Sequence, residues 1–253
     1  MPTNYSSICD DFYLDMYINT KLSLSVQRDT ILAFFERIQK QFPSMGHFYV
    51  GEAGEYCLEE ERIGGSYRWI ALETDRICSG VVNPLSLENI CGQNRLLLEL
   101  VPYMLSVSCL DIDSLDVTFD MDFDYAGNHD EVIAEALFDS TAFSCLLDLP
   151  QARAIGFSPA VVVAVSDDCR TQARISVESK TSVYEPRAKR QTSDEAVTLS
   201  FTIRRYPSIS EKFDALKSFE DQYRLGRELM NEKIIPNFVR PLIDVIAQKR
   251  LTR

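Results

Sequence analysis

The sequence has few of the residues on which most catalytic and metal centres are built. Among its 253 residues are two histidines, His47 and His129, so a histidine-based triad or a histidine-rich zinc site has almost no material. It also contains no G-x-S-x-G, H-E-x-x-H, G-x-x-x-x-G-K or G-x-G-x-x-G motif. These absences disfavour the common hydrolase, metalloprotease and nucleotide-binding sites. We therefore expect a non-catalytic protein without a cofactor.

Organised cysteine and long apolar runs are absent as well. The seven cysteines are an odd number and form no C-x-x-C pair, so we expect reduced thiols. No apolar run approaches the length of a membrane span, and the segment 1–11 lacks the basic and apolar regions of a signal peptide. The sequence therefore predicts a cytoplasmic protein that does not enter a membrane.

Basic residues are scarce in the first half of the chain. Residues 1–125 hold 8 Lys/Arg against 20 Asp/Glu, whereas residues 126–253 hold 18 of each, so the whole net charge of −12 arises in the first half. An acidic field repels phosphate backbones and anionic membranes. Nucleic acid is therefore disfavoured as a partner, and a protein or a small cationic ligand is favoured. The acidity can equally serve solubility alone.

Two stretches 105 positions apart resemble each other. The segment Asp11–Asn19 aligns with Asp116–Asp124, with identities at Asp11/Asp116, Asp15/Asp120 and Met16/Met121. A repeat of this length is a domain-sized half, because solenoid units recur every 20 to 50 residues. We interpret the chain as a pseudo-duplication with an N-terminal α+β half, residues 1–110, and a C-terminal α+β half, residues 111–253, that ends in long helices.

Each half is predicted to run strand, helix, three or four strands, helix. In the first half the segments are a strand over 12–18, a helix capped by Ser25, strands over 47–50, 55–61, 67–73 and 76–82, and a helix capped by Ser86 that Pro102 ends or kinks. In the second half they are a strand over 115–125, a helix that begins with the capping box Asn128/Glu131, strands over 160–165, 170–183 and 196–205, and a long helix from the capping box Ser208/Glu211 to about Lys233, after which Pro236 and Pro241 segment the chain.

These elements predict an α+β fold. Strands joined by short hairpins form antiparallel sheet, and flanking helices would cover one face and leave the other open. In its element order this layout resembles the tandem saddle of TATA-binding-protein-like folds, whose open sheet face is the binding surface. The chain carries no sequence motif of that family, so the resemblance implies architecture and no function.

The open face is predicted to be acidic and aromatic. Because side chains alternate along a strand, the polar positions opposite the apolar ones share this face; they are Tyr13, Asp15, Tyr17, Asp120, Asp122 and Asp124. Carboxylates beside tyrosines suit a cationic peptide, a basic protein or a small cationic ligand. Alternatively, Arg170, Arg174, Arg204 and Thr202 pair with the aspartates and merely solvate the face. In either case we expect an open sheet not to desolvate the carboxylates.

A metal-assisted enzyme that uses the region Asp120–Asp130 is the alternative function. Asp120, Asp122, Asp124, Asn128 and Glu131 occupy positions 1, 3, 5, 9 and 12 of an EF-hand register. However, Tyr125 stands where that loop needs glycine, and the alternation before it predicts a strand. A metal at the sheet edge held by Asp124, His129 and Asp130 is a further variant.

One basic cluster lies in the predicted hairpin loop 184–191. It contains Arg187, Lys189 and Arg190, and the loop is long for a two-strand connection. Three cations at a loop tip can contact an acidic partner, although a solvated tip has the same composition. A second copy of the chain could receive the loop on its acidic face, which predicts a homo-oligomer.

Overall fold

A computed structural model describes residues 5–24, 27–62, 64–85, 87–179, 196–208 and 212–252. Its centre is an antiparallel sheet of nine strands in the order β2-β3-β4-β5-β1-β6-β9-β8-β7. Helices pack against this sheet, so the predicted α+β class with antiparallel sheet is confirmed.

The strands and helices follow the predicted order closely. After a 3-10 turn at Tyr5–Ser7, the strands are β1 (Asp11–Thr20), β2 (His47–Val50), β3 (Tyr56–Glu59), β4 (Tyr67–Leu72), β5 (Arg76–Val82), β6 (Ile112–Asp124), β7 (Ala160–Ala164), β8 (Thr171–Ser179) and β9 (Ala196–Arg205). The helices are α1 (Arg28–Gln41), α2 (Leu87–Met104), α3 (His129–Phe138), the short α4 (Ser144–Leu147), α5 (Ala215–Leu229) and α6 (Arg240–Leu251), with a π-helical segment Met230–Val239 between the last two.

Strands β1 and β6 lie side by side at the centre of the sheet. On one side β1 pairs with β5, and the meander β5-β4-β3-β2 runs out to one edge. On the other side β6 pairs with β9, and β9-β8-β7 runs out to the opposite edge. The first strand of each predicted half therefore pairs with the last strand of the same half and with the first strand of the other.

The helices cover the apolar face of the sheet. Leu14, Met16 and Phe119 are fully buried there, and α5 approaches so closely that a Cβ added at Gly226 would stand 2.4 Å from the ring of Phe119. The amide of Gln222 in α5 donates 2.7 Å hydrogen bonds to the carbonyls of Leu115 and Ile203. Burial of the alternating apolar positions therefore supplies the core, and the polar positions are turned to the other face.

The predicted start of the C-terminal helix is wrong. Helix α5 begins at Ala215, because the side chain of Asp214 caps it by accepting a 3.0 Å hydrogen bond from the N–H of Lys217. Pro236 and Pro241 were predicted to segment the chain after this helix, but both lie within helical structure. Pro236 lies inside the π-helical segment, and Pro241 lies in the first turn of α6.

Other capping predictions fare differently. The predicted cap of α3 is confirmed, since the Asn128 side chain accepts from the N–H of Glu131. Helix α2 runs two residues beyond Pro102. Ser25, Ser86 and Glu211 lie outside the described residues.

In the part of the chain that the structure describes, no helix combines the length and apolar character needed to cross a membrane.

Candidate functional site

The polar face of the sheet is built from rows of side chains that cross all the strands. Paired residues of an antiparallel sheet point to the same side. One row runs His47, Glu59, Trp69, Gly80, Asp15, Thr118, Thr202, Arg174, Val162, and the next runs Tyr49, Cys57, Ala71, Cys78, Tyr17, Asp116, Arg204, Gln172, Ala164. We call this surface the polar face.

The structure brings five of the predicted site residues together on the polar face. They are Tyr13, Asp15, Tyr17, Asp120 and Asp122. In the pairing of β1 with β6, Tyr13 is the Cα partner of Asp120, and Asp15 is the Cα partner of Thr118. Asp124 is exposed at the end of β6, where its N–H donates to the Asp10 carboxylate at 2.8 Å, so it does not share the burial of Asp15. Arg187, Lys189 and Arg190 lie outside the described residues.

Asp15 is buried, contrary to the expectation that this face would leave its carboxylates solvated. Its side chain is 5% exposed, the Tyr17 hydroxyl donates to Oδ2 at 3.1 Å, and Oδ1 has no hydrogen-bond partner among the described residues. Burial, and then the nearby carboxylate of Asp120, raise the pKa of Asp15 well above its usual range. Burial and the same two carboxylates raise the pKa of Tyr17, which keeps this hydroxyl a donor.

Gly80 and Trp69 explain the burial of Asp15. A Cβ on Gly80 would stand 2.0 Å from Asp15 Oδ1 and 2.5 Å from Trp69 Nε1, so both side chains fold over this glycine. Gly80 is the Cα partner of Asp15 on one side and of Trp69 on the other. Sequence reasoning missed both residues, although a single tryptophan at an alternating strand position was a signal. We call Asp15, Tyr17, Trp69, Gly80 and Asp120 the Asp15 cluster.

The neighbouring carboxylates are satisfied in a different way. Asp116 accepts from Nε and Nη2 of Arg204 at 2.7 and 2.6 Å and from the Asn19 amide at 3.1 Å. The hydrogen bonds to Asp116 raise the pKa of Arg204. Asp122 accepts from the hydroxyls of Tyr13 and Thr198. The alternative of arginine–aspartate pairing therefore holds for Asp116, whereas Asp15 has no cation beside it among the described residues.

The residues of the predicted metal region are spread over two elements. Strand β6 stays extended through Asp124, so its carboxylates do not turn around one point as an EF-hand loop requires. His129 contacts the Tyr125 carbonyl at 2.6 Å, and Asp130 accepts from the N–H of Phe157 at 2.8 Å. No group of three or more His, Cys, Asp or Glu side chains within the described ranges is arranged to hold a metal ion.

A concave pocket of about 360 Å³ lies on the polar face over the second half of the sheet. Most of its lining comes from β6, β8 and β9, with one residue each from β1, β5 and β7, and it is rich in hydroxyl groups and arginine. The lining residues are Tyr17, Arg76, Asp116, Thr118, Val162, Gln172, Arg174, Ser176, Glu178, Ser200, Thr202 and Arg204. The pocket is adjacent to the Asp15 cluster, with which it shares Tyr17. The polar face therefore contains two neighbouring environments, one dominated by carboxylates and one by donors.

Comparison with known proteins gives the chain no family. No protein-family model matches it, and no curated protein matches its sequence.

Proposed function

We propose that the protein is a non-catalytic cytoplasmic binding module whose polar face holds a cationic group of a peptide, a protein or a small ligand against Asp15 and Asp120. One observation supports this most: the Asp15 carboxyl is buried and accepts a hydrogen bond at only one of its two oxygens. A buried carboxylate without a cation is costly, so it becomes protonated or takes a cationic partner.

The surroundings of Asp15 suit an organic cation. Trp69 and Tyr17 offer aromatic surface beside the carboxyl, and aromatic faces attract ammonium and guanidinium groups. The charge of Asp120 is close enough to raise the pKa of Asp15, so a bound cation would relieve the repulsion between the two carboxylates. The Trp69 indole and the Asp15 carboxyl lie over the same glycine, so a cation bound at Asp15 would change the surroundings of the indole, and Trp69 fluorescence can report binding.

We also propose that the two halves, 1–110 and 111–253, arose by duplication and form a saddle with the polar face as its binding surface. The mirrored strand order on either side of β1 and β6 supports this. The sequence alignment makes Leu14 equivalent to Phe119, and these two residues are Cα partners in the sheet. A dyad that relates the halves would pass between them. Asp15 and Asp120 would then be equivalent residues that face each other near that dyad.

Self-association through the edge strand β7 is part of the proposal. Its sequence Ala-Val-Val-Val-Ala carries no charge, and Val161, Val162 and Val163 are 54%, 56% and 50% exposed. The N–H of Val165 and the carbonyl of Pro159 pair with β8, so by alternation the backbone groups of 160, 162 and 164 point outward. Such an edge is a template for another strand.

A second copy of the chain is the partner that fits β7. A twofold axis at Val162 would pair valine with valine and alanine with alanine, because the strand reads the same in both directions. An uncharged strand also avoids repulsion between two copies that each carry a net charge of −12. The metal-assisted enzyme has no comparable supporting observation among the described residues.

The experiment for the binding function is a fluorescence titration of Trp69, the single tryptophan. The probes are the N-acetyl amides of lysine and arginine, with the neutral N-acetyl norleucine amide as the matched control. We expect a saturable change with the cationic amides, no change with the neutral one, and at least about tenfold weaker binding after Asp15→Asn.

The control variant is Asp113→Asn, which removes an exposed carboxyl from the same strand as Asp120. It should leave the titration unchanged. The proposal is contradicted if no cationic amide gives a saturable response, or if Asp15→Asn and Asp113→Asn weaken binding equally.

A further inference from the structure

Four polar side chains form the floor of the pocket on strands β8 and β9. Arg174 is the Cα partner of Thr202, and Ser176 is the Cα partner of Ser200. Paired residues stand about 5 Å apart, and successive same-face residues about 7 Å apart. The guanidinium and the hydroxyls are therefore close enough to contact one small ligand group at the same time.

Several other polar side chains of the pocket are already engaged with protein partners. Arg204 is held by Asp116, and Arg76 by Glu73 at 2.7 Å. The hydroxyls of Thr118 and Thr202 bond to each other at 2.9 Å. These contacts satisfy the named side chains without a ligand.

The donor groups of Arg174, Ser176 and Ser200 are not engaged in this way. Within the described residues none of the three side chains makes a hydrogen bond or an ion pair. Ser176 is 5% exposed and still faces the pocket. A hydroxyl that faces a pocket without a protein partner is available to donate a hydrogen bond to a ligand. Because a guanidinium only donates, the group that satisfies all three residues must be an acceptor and should be negative.

We propose that Arg174, Ser176 and Ser200 form a binding site for the carboxylate group of a small organic ligand. A carboxylate matches the two parallel N–H donors of a guanidinium, and its oxygens can accept from the serine hydroxyls. Glu178 lies two residues along β8 from Ser176, and Asp120 is the Cα partner of Ser200. These acids border the site, so a single negative charge is favoured over the greater charge of a phosphate.

The test is an NMR titration of the ¹⁵N-labelled full chain that follows the arginine Nε–Hε signals. Sodium acetate is the probe, sodium phosphate is the second arm, and sodium chloride holds the ionic strength constant. We expect a saturable acetate-dependent shift of one arginine signal, which disappears in Arg174→Gln. The double variant Ser176→Ala/Ser200→Ala should bind acetate about tenfold more weakly or worse.

The matched control is Arg224→Gln, which removes an exposed arginine of α5 and should leave the acetate titration unchanged. Three outcomes overturn the proposal: no saturable acetate shift, an acetate shift that survives Arg174→Gln, or saturation by phosphate with none by acetate. The site does not depend on Asp15, so failure here leaves the cation-binding proposal standing, and failure of the Trp69 titration leaves this one standing.

Discussion

The carboxyl of Asp15 and the indole of Trp69 lie over the same glycine, Gly80. A side chain at that position would collide with both, since its Cβ would stand 2.0 Å from the Asp15 oxygen and 2.5 Å from the indole nitrogen. Three adjacent strands therefore cooperate to bury one carboxyl on the polar face of the sheet. The raised pKa of Asp15 follows from this arrangement.

The first prediction concerns stability against pH. Because the pKa of Asp15 is raised in the folded state, the folded chain holds a proton that the unfolded chain releases at about pH 3.9. The free energy of unfolding should therefore fall as the pH rises from that value through the raised pKa of Asp15. The loss should be about 1.4 kcal/mol for each unit by which the pKa is raised.

The variant Asp15→Asn tests that prediction. Asparagine cannot ionise, and its carbonyl can still accept from Tyr17, so the variant should be more stable than the native chain at pH 8 and show less of the decline. Urea unfolding at pH 5 and pH 8 measures this difference. An equal pH dependence in both proteins would show that Asp15 is not the group responsible.

The second prediction concerns two glycines in helices. Gly226→Ala would place a Cβ 2.4 Å from the Phe119 ring, so it should destabilise the protein by about 1–3 kcal/mol. Gly92 in α2 is exposed, and a Cβ added there would have nothing within 4 Å, so Gly92→Ala should stabilise by roughly 0.5–1 kcal/mol. Thermal melts of both variants provide the measurement, and shifts of the same sign would contradict the packing of α5 on β6.

The third prediction concerns the ion pair of Arg204 and Asp116. Asp116 is 4% exposed, so removal of its partner in Arg204→Met should cost about 2–3 kcal/mol, less than the roughly 3–5 kcal/mol of a fully buried pair because the arginine is partly exposed. The surface pair of Arg224 and Asp221 is the control, and Arg224→Met should cost less than about 1 kcal/mol. If urea unfolding shows that Arg204→Met and Arg224→Met lower the free energy of unfolding equally, the Arg204–Asp116 pair contributes no more than a surface pair.

Much of this fold could be predicted from alternation and helical periodicity. Residues 12–19 of β1 and 115–124 of β6 alternate apolar and polar positions, and burial of Leu14, Met16 and Phe119 follows that pattern. The start of α5 could not be predicted with the same certainty. Ser208 and Asp214 are both good capping residues, and packing of the helix on the sheet selects between such local signals.

The candidate site was predicted in part. Alternation shows which face Asp15 occupies, but the neighbours of Asp15 depend on the register between strands that are distant in sequence. For this reason Trp69 and Gly80 were missed, and the burial of Asp15 was not expected. Similarly, the alternative had Arg170, Arg174, Arg204 and Thr202 pair with the aspartates, and alternation could not show that Arg204 is the one that bonds Asp116 because it lies directly opposite.

The fourth prediction separates two routes to a homo-oligomer. If β7 pairs with β7 of a second copy, Val162→Lys should shift a dimer to monomer in sedimentation velocity, because it puts like charges together at the axis. The control Val162→Thr keeps the shape and should remain dimeric. If the basic loop docks on the polar face instead, the triple variant Arg187→Ser/Lys189→Ser/Arg190→Ser should dissociate and Val162→Lys should not. A native chain that is monomeric at high concentration would contradict both.

The most direct test of the proposed role of Asp15 is an NMR measurement of the pKa of its side-chain carboxyl. The ¹³C-labelled protein is titrated with acid and base, with and without saturating N-acetyl lysine amide. A buried carboxyl that a ligand cation can pair with should titrate above the usual aspartate value of about 3.9 in the free protein, and its midpoint should fall when the ligand binds. A midpoint at the usual value in the free protein, or one that the cationic amide does not move, would contradict the proposed role of Asp15.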